Sequence, residues 1–129
     1  MKKLTPVIMV EQVEPCLPFW EQRLGFTRTI EVPHEHALGF VALQRGGVEV
    51  MLQSRASVQA DVPDLAAAPV GPGNVGLFIE VDDLEPILKA AEGAEIVVPE
   101  RRTFYGMREI GLRAPGGPVV MFAQRIDES

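Results

Sequence analysis

The sequence predicts an α+β protein made of two tandem βαβββ modules, each with a curled mixed sheet. The first observation is an internal repeat: "VEQVEP" from Val10 resembles "VDDLEP" from Val81, each after a β-rich run. The second is that the two halves end alike, with "GGVEVML" from Gly46 and "GGPVVMF" from Gly116. The third is the abundance of Gly (12) and Pro (11), which favours many short elements joined by turns. Matching blocks in the same order indicate duplication of one structural unit.

The first module, about residues 4–53, begins with a predicted strand at Pro6–Val10. A helix is predicted near Pro15–Leu24, because Pro15 suits a first turn and Trp20 continues an apolar face. Three strands follow, "TRTIEV", "ALGFVAL" and "VEVMLQ", and "QRGG" joins the last two as a hairpin.

The second module, about residues 75–124, repeats this order. "GLFIEV" is the predicted strand and Leu84–Ala91 the predicted helix, which ends at Gly93. The strands "EIVVPE", "REIGLRA" and "PVVMFAQ" follow, with "PGG" as the last turn. Between the modules, Ser54–Asn74 is rich in Ala, Pro and Gly and is predicted to be a linker or loop long enough to be mobile.

Composition limits the partners of the protein. At 129 residues with a net charge of −6, the chain fits one domain and has no basic stripe for nucleic acid. The N-terminal apolar run is cut by Pro6 and ends at Glu11, which is too short for a membrane span or an export signal. We therefore expect a cytoplasmic protein that binds neither nucleic acid nor membranes. The single cysteine, Cys16, is interpreted as a buried thiol in the first helix.

Two longer motifs carry a family resemblance. "VEQVEPCLPFWEQRLGF" and "FYGMREIGLRAPGGPVVMFAQ" resemble the vicinal oxygen chelate superfamily (glyoxalase/bleomycin resistance protein/dioxygenase), in particular its bleomycin-resistance-like branch. The resemblance covers Leu4 to Gln124, although Ala114–Gly117 replaces the acidic turn usual in that branch. It implies a single glyoxalase-like domain over residues 1–129. It also implies a homodimer with a ligand cavity at or beside its interface.

Strand alternation assigns side chains to the two faces of each predicted sheet. If Val120 and Phe122 pack the core, the concave cavity face receives Thr5, Val7, Met9, Glu49, Met51, Gln53, Gly76, Phe78, Glu80, Val119, Met121 and Ala123. By the resemblance, the four metal-ligand positions of metal-dependent members correspond here to Thr5, Met51, Gly76 and Met121. None is a histidine or a carboxylate, so we expect no metal and no other cofactor.

Other polar and aromatic residues have two interpretations each. His34 and His36 flank Glu35 and could bind a metal or act as acid and base, but a solvated loop after Pro33 is favoured. Tyr105 and Phe104 could stack on a flat ligand, with Arg108 and Glu109 as charges at the cavity rim. Alternatively, Arg108 and Glu109 pair across the sheet and the aromatic rings pack the core. Trp20 is interpreted as a core residue, and Glu14 and Glu85 as structural carboxylates at helix N-termini.

The leading functional hypothesis is a metal-free protein that sequesters an aromatic or cationic small molecule, as antibiotic-resistance members of the superfamily do. The predicted ligand-binding residues are Glu49, Met51, Gln53, Phe78, Tyr105, Glu109 and Met121. The alternative is an enzyme, either a glyoxalase- or dioxygenase-like metalloenzyme or a metal-free isomerase or lyase with Glu49 or Tyr105 as base. A third possibility is a stand-alone domain without an activity of its own. The sequence does not choose among them, because a fold alone does not define a function.

Overall fold

The computed structural model describes residues 2–67 and 75–126 and contains two four-stranded sheets with short helices. The predicted α+β architecture of two βαβββ modules is confirmed. The first sheet contains β1 (Val7–Val10), β2 (Thr27–His34), β3 (Ala37–Arg45) and β4 (Val48–Ser54). The second contains β5 (Leu77–Glu80), β6 (Ile96–Arg102), β7 (Met107–Arg113) and β8 (Val119–Arg125). The chain divides into two compact units, Met1–Gly71 and Pro72–Ser129, called unit 1 and unit 2 below.

The first helical segment lies where the sequence predicts it but does not have α-helical geometry. It consists of a 3₁₀ turn at Glu14–Cys16 and a π-helical turn at Pro18–Arg23. Pro15 and Pro18 have no N–H groups, so the regular i to i−4 ladder is not available at either position. The Leu24 N–H instead bonds the Phe19 carbonyl, five residues back, at 3.2 Å. The two prolines explain why the prediction of a regular helix was wrong here.

The predicted linker is not wholly irregular. It contains α1 (Arg55–Asp61) and α2 (Pro63–Ala66). Ser54 caps α1, since its hydroxyl accepts a hydrogen bond from the Ser57 N–H at 3.2 Å. The expectation of a loop throughout was wrong for this first part, because an N-cap signal inside an Ala-rich stretch went unrecognised. The rest of the predicted linker, residues 68–74, lies outside the described residues.

The sheet of unit 1 has the strand order β1-β4-β3-β2, with β1 parallel to β4 and the other pairs antiparallel. The register between β2 and β3 shifts twice, between Arg28 and Ile30 and between Val32 and Pro33. One face of this sheet is buried and carries Val41, Leu43, Val50 and Leu52. Trp20 is fully buried in the same unit, which confirms its interpretation as a core residue.

Unit 2 repeats this order as β5-β8-β7-β6. Its buried face carries Ile110, Leu112, Val120 and Phe122, which agrees with the placement of Val120 and Phe122 in the core. The helix α3 (Glu85–Ala90) lies within the predicted range Leu84–Ala91. Gly93 follows it in the left-handed conformation (φ 80°) that ends many helices. Among the described residues, no helix is both long and apolar enough to cross a bilayer.

Candidate functional site

In each unit, the face opposite the buried one carries the residues predicted to line a cavity, and we call it the site face. On the site face of unit 1, strand pairing aligns side chains in rows across the sheet, because residues paired in register share a face. One row runs Val7, Met51, Ala42, Ile30, and the next runs Met9, Gln53, Phe40, Val32. Val7, Ile30 and Val32 are each about half exposed. These two rows of unit 1 are therefore apolar except for Gln53.

Glu49 lies at one side of this face and is already paired. Its Oε1 is 2.7 Å from Lys3 Nζ and accepts a hydrogen bond from the Thr5 hydroxyl at 3.2 Å. The hydrogen bond from Lys3 holds the pKa of Glu49 below its usual range, and Thr5 adds to this effect. The hypothesis of a Glu49 base with a raised pKa was therefore wrong. The Lys3 partner lies far away in sequence, in a segment that no local pattern connects with β4.

The site face of unit 2 has one apolar and one polar row. The apolar row runs Phe78, Met121, Gly111, Val98, and it corresponds to the first row of unit 1. Phe78 is 58% exposed. A Cβ atom on Gly111 would lie 2.6 Å from Met121 Sδ and 3.0 Å from Val98 Cβ. The missing side chain of Gly111 thus gives Met121 and Val98 the space to meet across β7.

The polar row of unit 2 runs Glu80, Ala123, Glu109, Arg101. Glu109 is only 1% exposed, and both of its carboxylate oxygens accept hydrogen bonds. Its Oε1 accepts from Arg101 Nε and Nη2 at 3.2 and 3.1 Å, and its Oε2 accepts from the Tyr105 hydroxyl at 2.8 Å. The bond to Glu109 is the main reason that the pKa of Arg101 is raised. We call Arg101, Tyr105 and Glu109 the polar cluster.

A tight hairpin presents the aromatic residues beside the polar cluster. The β6–β7 turn closes with hydrogen bonds from the Thr103 and Gly106 N–H groups to the Met107 and Thr103 carbonyls. Gly106 takes the positive φ of 80° that such a turn requires. At the tip, Phe104 is fully exposed and packs edge-to-face against Tyr105, with ring centroids 5.1 Å apart. The alternative that both rings pack the core was therefore wrong, because Phe104 is exposed and Tyr105 is half-exposed.

Arg108 does not share a face with Glu109. It donates to Glu85 on α3 at 2.8 Å and to Glu100 on β6, so it points to the buried face of the sheet. Consecutive residues of a strand point to opposite faces. Arg108 and Glu109 therefore neither line the cavity rim together nor form an ion pair with each other, so both predictions for this pair were wrong. The structural interpretation of Glu85 agrees with this contact, since it holds α3 to the sheet.

The four positions that metal-dependent members of the superfamily would use do not fit a divalent cation. Their donor set offers one hydroxyl, two thioethers and a glycine without a side chain, and thioethers suit soft ions only. Thr5 is occupied by its bond to Glu49. Within residues 2–67 and 75–126, no three His, Cys, Asp or Glu side chains are grouped so that they could hold a metal ion.

His34 and His36 lie at a different place, at the end of the unit 1 sheet. β2 continues through Pro33 to His34, and Glu35 and His36 form the turn to β3, with Glu35 at a positive φ of 57°. The two histidines line a pocket of about 460 Å³. Its other lining residues are Glu11, Gln12, Glu14, Pro15, Glu35, Ala37, Leu38, Ser54 and Ala56. Two of its carboxylates are engaged, Glu14 by the Leu38 N–H at 2.6 Å and Glu11 by Arg55 at 3.0 Å.

The predicted ligand-binding residues thus fall into two groups, one in each unit. Glu49, Met51 and Gln53 alternate along β4, and Phe78, Tyr105, Glu109 and Met121 belong to unit 2. Within unit 2, the structure brings Tyr105 and Glu109 into direct contact. The sequence reasoning missed Arg101. The bulge in β6 between Val98 and Arg101 shifts the register there, so simple alternation did not connect Arg101 with Glu109.

Each unit is a βαβββ module in which the edge strand, β1 or β5, runs parallel to the last strand, β4 or β8. This arrangement defines a class of small α+β proteins. A family model for the glyoxalase/bleomycin resistance protein/dioxygenase superfamily matches residues 4–122. The chain therefore belongs to this superfamily. No curated protein matches the sequence significantly.

Solved structures agree on the fold. A glyoxalase/bleomycin resistance protein/dioxygenase from Nocardioides is 20% identical with a TM-score of 0.75, and the match covers 97% of this chain and 83% of that one. A glyoxalase-related enzyme from Fulvimarina pelagi is 14% identical with a TM-score of 0.77 (97% and 89% covered). TioX from Micromonospora sp. ML1 is 18% identical with a TM-score of 0.72 (98% and 100% covered). At these identities, the similarity concerns the fold alone.

Proposed function

We propose that this protein is a metal-free small-molecule-binding protein of the bleomycin-resistance-like branch, which sequesters an aromatic or cationic compound. The observation that carries the proposal is the apolar row on the site face of unit 2, in which Phe78 is 58% exposed and lies beside Met121. A large aromatic side chain on an open sheet face costs hydrophobic free energy unless a partner covers it. Methionine adds an adaptable surface suited to flat guests.

Two of the carboxylates predicted to bind a cationic guest already have partners. Glu49 is paired with Lys3, and Glu109 is paired with Arg101. A cation bound at either carboxylate would have to displace this partner, which offsets much of the gain in electrostatic free energy. At these two positions the charges therefore favour an aromatic guest over a cationic one.

In this proposal the protein acts in the cytoplasm as a homodimer. The exposed apolar side chains of the two site faces support an assembly that covers them. Analytical ultracentrifugation at micromolar concentration tests the assembly, and a species with the mass of one chain would contradict it.

Binding of a neutral aromatic dye, N-phenyl-1-naphthylamine, tests the proposed function through its fluorescence. Covering the exposed part of Phe78, on the order of 100 Å², is worth about 2.5 kcal/mol at roughly 25 cal/mol per Å². Phe78→Ala should therefore weaken binding by up to roughly seventyfold. Ile96→Ala is the matched control, because Ile96 is also half exposed (47%) but pairs with Leu112 and therefore points to the opposite face of the same sheet. Equal loss in both variants, or no binding by the unaltered protein, would contradict the proposal.

An enzyme of the same superfamily is the second candidate, and one contact favours it. Tyr105 and Glu109 form a hydrogen-bonded pair at 2.8 Å beside an exposed aromatic surface, which is an arrangement that can move a proton. Native mass spectrometry of protein purified from its host distinguishes the candidates. An intact, unmodified organic molecule retained without metal favours sequestration, and one equivalent of a divalent ion favours a metalloenzyme.

A further inference from the structure

The polar cluster of unit 2 replaces apolar residues that serve the same place in unit 1. The row Met9, Gln53, Phe40, Val32 in unit 1 corresponds to Glu80, Ala123, Glu109, Arg101 in unit 2. Both sheets have the same strand order. A βαβββ sheet of this kind therefore forms with Phe40 and Val32 where unit 2 has Glu109 and Arg101.

The burial of Glu109 in this ion pair is not explained by stability alone. Removing a carboxylate from water costs several kcal/mol, and an apolar pair of similar volume is often as stable or more so. Glu109 is 1% exposed, whereas Arg101 is 52% exposed. The buried partner is thus fixed inside the unit, while the cationic partner is presented at the surface.

The geometry of the pair leaves part of the guanidinium group for a ligand. Guanidinium has five N–H donors, and Glu109 Oε1 takes one from Nε and one from Nη2. Because Glu109 holds Arg101 in place, its planar guanidinium group can bind a carboxylate through two parallel hydrogen bonds. The flexible ammonium group of a lysine side chain suits a planar carboxylate less well. The Tyr105 hydroxyl donates to Glu109 and its oxygen accepts from Arg101, which still leaves guanidinium N–H groups for a ligand.

The site face of unit 2 carries charges of both signs. Strand alternation directs Arg101, Arg113 and Arg125 to this face, together with Glu80 and Glu109. Arg113 lies 3.6 Å from the Glu95 carboxylate, so this cation already has an anionic partner. Arg101 interacts with the Tyr105 side chain of the exposed aromatic hairpin, with which it shares Glu109. Arg101 is therefore the cation that this face presents beside the aromatic rings.

We propose that the ligand of the site face in unit 2 is an aromatic carboxylate, whose carboxylate is bound by Arg101 and whose ring packs on Tyr105 and Phe104 at the neighbouring hairpin. Glu109 is a positioning residue, because it holds both Arg101 and Tyr105 and is not itself exposed to the ligand. The inference rests on the proposed binding function and narrows the aromatic ligand of that proposal to one chemical class.

Calorimetry with three matched naphthalene probes tests the ligand class. The probes are 2-naphthoate, the neutral 2-naphthamide and the cationic 2-naphthylmethylammonium, at neutral pH. We expect 2-naphthoate to bind at least tenfold more tightly than the amide, and the ammonium to bind most weakly. Arg101→Gln should reduce the ratio of acid to amide affinity to about one. Arg102→Gln is the control, because it removes the same charge one residue away on the opposite face and should leave the ratio unchanged.

The outcomes separate this inference from the function on which it rests. Equal binding of acid and amide, or tighter binding of the ammonium, overturns the carboxylate class but leaves the small-molecule-binding function standing. Loss of the preference in Arg102→Gln as well overturns the role of Arg101 and indicates a general charge effect. Failure of all three probes and of the neutral dye overturns both proposals. Circular dichroism of each variant, identical to that of the parent protein, shows that the fold is retained.

Discussion

Trp20 allows a sharp test of how packing and polar burial compete in the core of unit 1. The indole is fully buried, and it packs edge-to-face against Phe19 and Phe26 with ring centroids 5.2 and 5.1 Å away. Its Nε1 is buried and has no hydrogen-bond partner among the described residues. The side chain thus contributes hydrophobic free energy and carries a polar penalty at the same time.

Trp20→Phe removes both contributions. Shortening the ring takes away roughly 40 Å² of apolar contact, about 1 kcal/mol. The small cavity that remains costs about 1 kcal/mol more. Removing an unsatisfied buried N–H returns about 1–3 kcal/mol. We therefore expect the free energy of unfolding to change by no more than about 1 kcal/mol in either direction.

Trp20→Ala is the contrasting variant, because it loses the ring and both edge-to-face contacts. Its expected cost is about 3–5 kcal/mol, a large part of the 5–15 kcal/mol typical of small proteins. Urea denaturation followed by far-ultraviolet circular dichroism measures both variants without relying on tryptophan fluorescence. A loss above about 2 kcal/mol in Trp20→Phe would refute the reasoning, since it would mean that the N–H carries no penalty or has a partner, such as an ordered water.

Three further predictions concern single contacts of unit 1. The hydrogen bond from the Leu38 N–H lowers the pKa of Glu14 in the folded state. The stabilisation is therefore complete above the pKa of Glu14 in the unfolded chain and is lost as the pH falls through its pKa in the folded protein. In thermal unfolding, Glu14→Gln should be less stable than the parent protein at pH 7 and equal to it near pH 2.5. Burial raises the pKa of the Cys16 thiol, which donates a hydrogen bond to a backbone carbonyl at 3.2 Å. Ellman's reagent should therefore react with Cys16 at least a hundredfold faster in guanidinium than in the native state. Equal reaction rates in the two conditions would contradict the burial. Ser54→Ala should cost about 0.5–2 kcal/mol in urea unfolding by removing the α1 cap to Ser57, with Ser54→Thr, which keeps the hydroxyl, as the control.

The repeat was sufficient to predict the fold, and the strand alternation assigned side chains to faces in the first and last strands of each unit. Both depend on local periodicity, which a single sequence contains. The pattern therefore placed Val120 and Phe122 in the core, where they are buried. Where proline removes backbone donors, as at Pro15 and Pro18, the element was in the right place but its hydrogen bonding differed.

The candidate site was less predictable, because its key contacts join residues whose pairing depends on distant partners or on register. Lys3 reaches Glu49 from a segment before β1, and a bulge brings Arg101 opposite Glu109. Neither contact leaves a periodic signal. The charge state and the partner of a site carboxylate therefore had to come from the structure, while its face could be predicted from parity.

The position of β2 at the edge of its sheet has a consequence for solubility. β2 is eight residues long, and Ile30 and Val32 are half exposed, a combination that invites edge-to-edge aggregation. Two features oppose this. Pro33 lacks the N–H that a docking strand would need, and Arg28 holds the edge in ion pairs. Replacing Pro33 by valine would remove one of these protections, so a normally folded chain could still be lost to precipitation during expression.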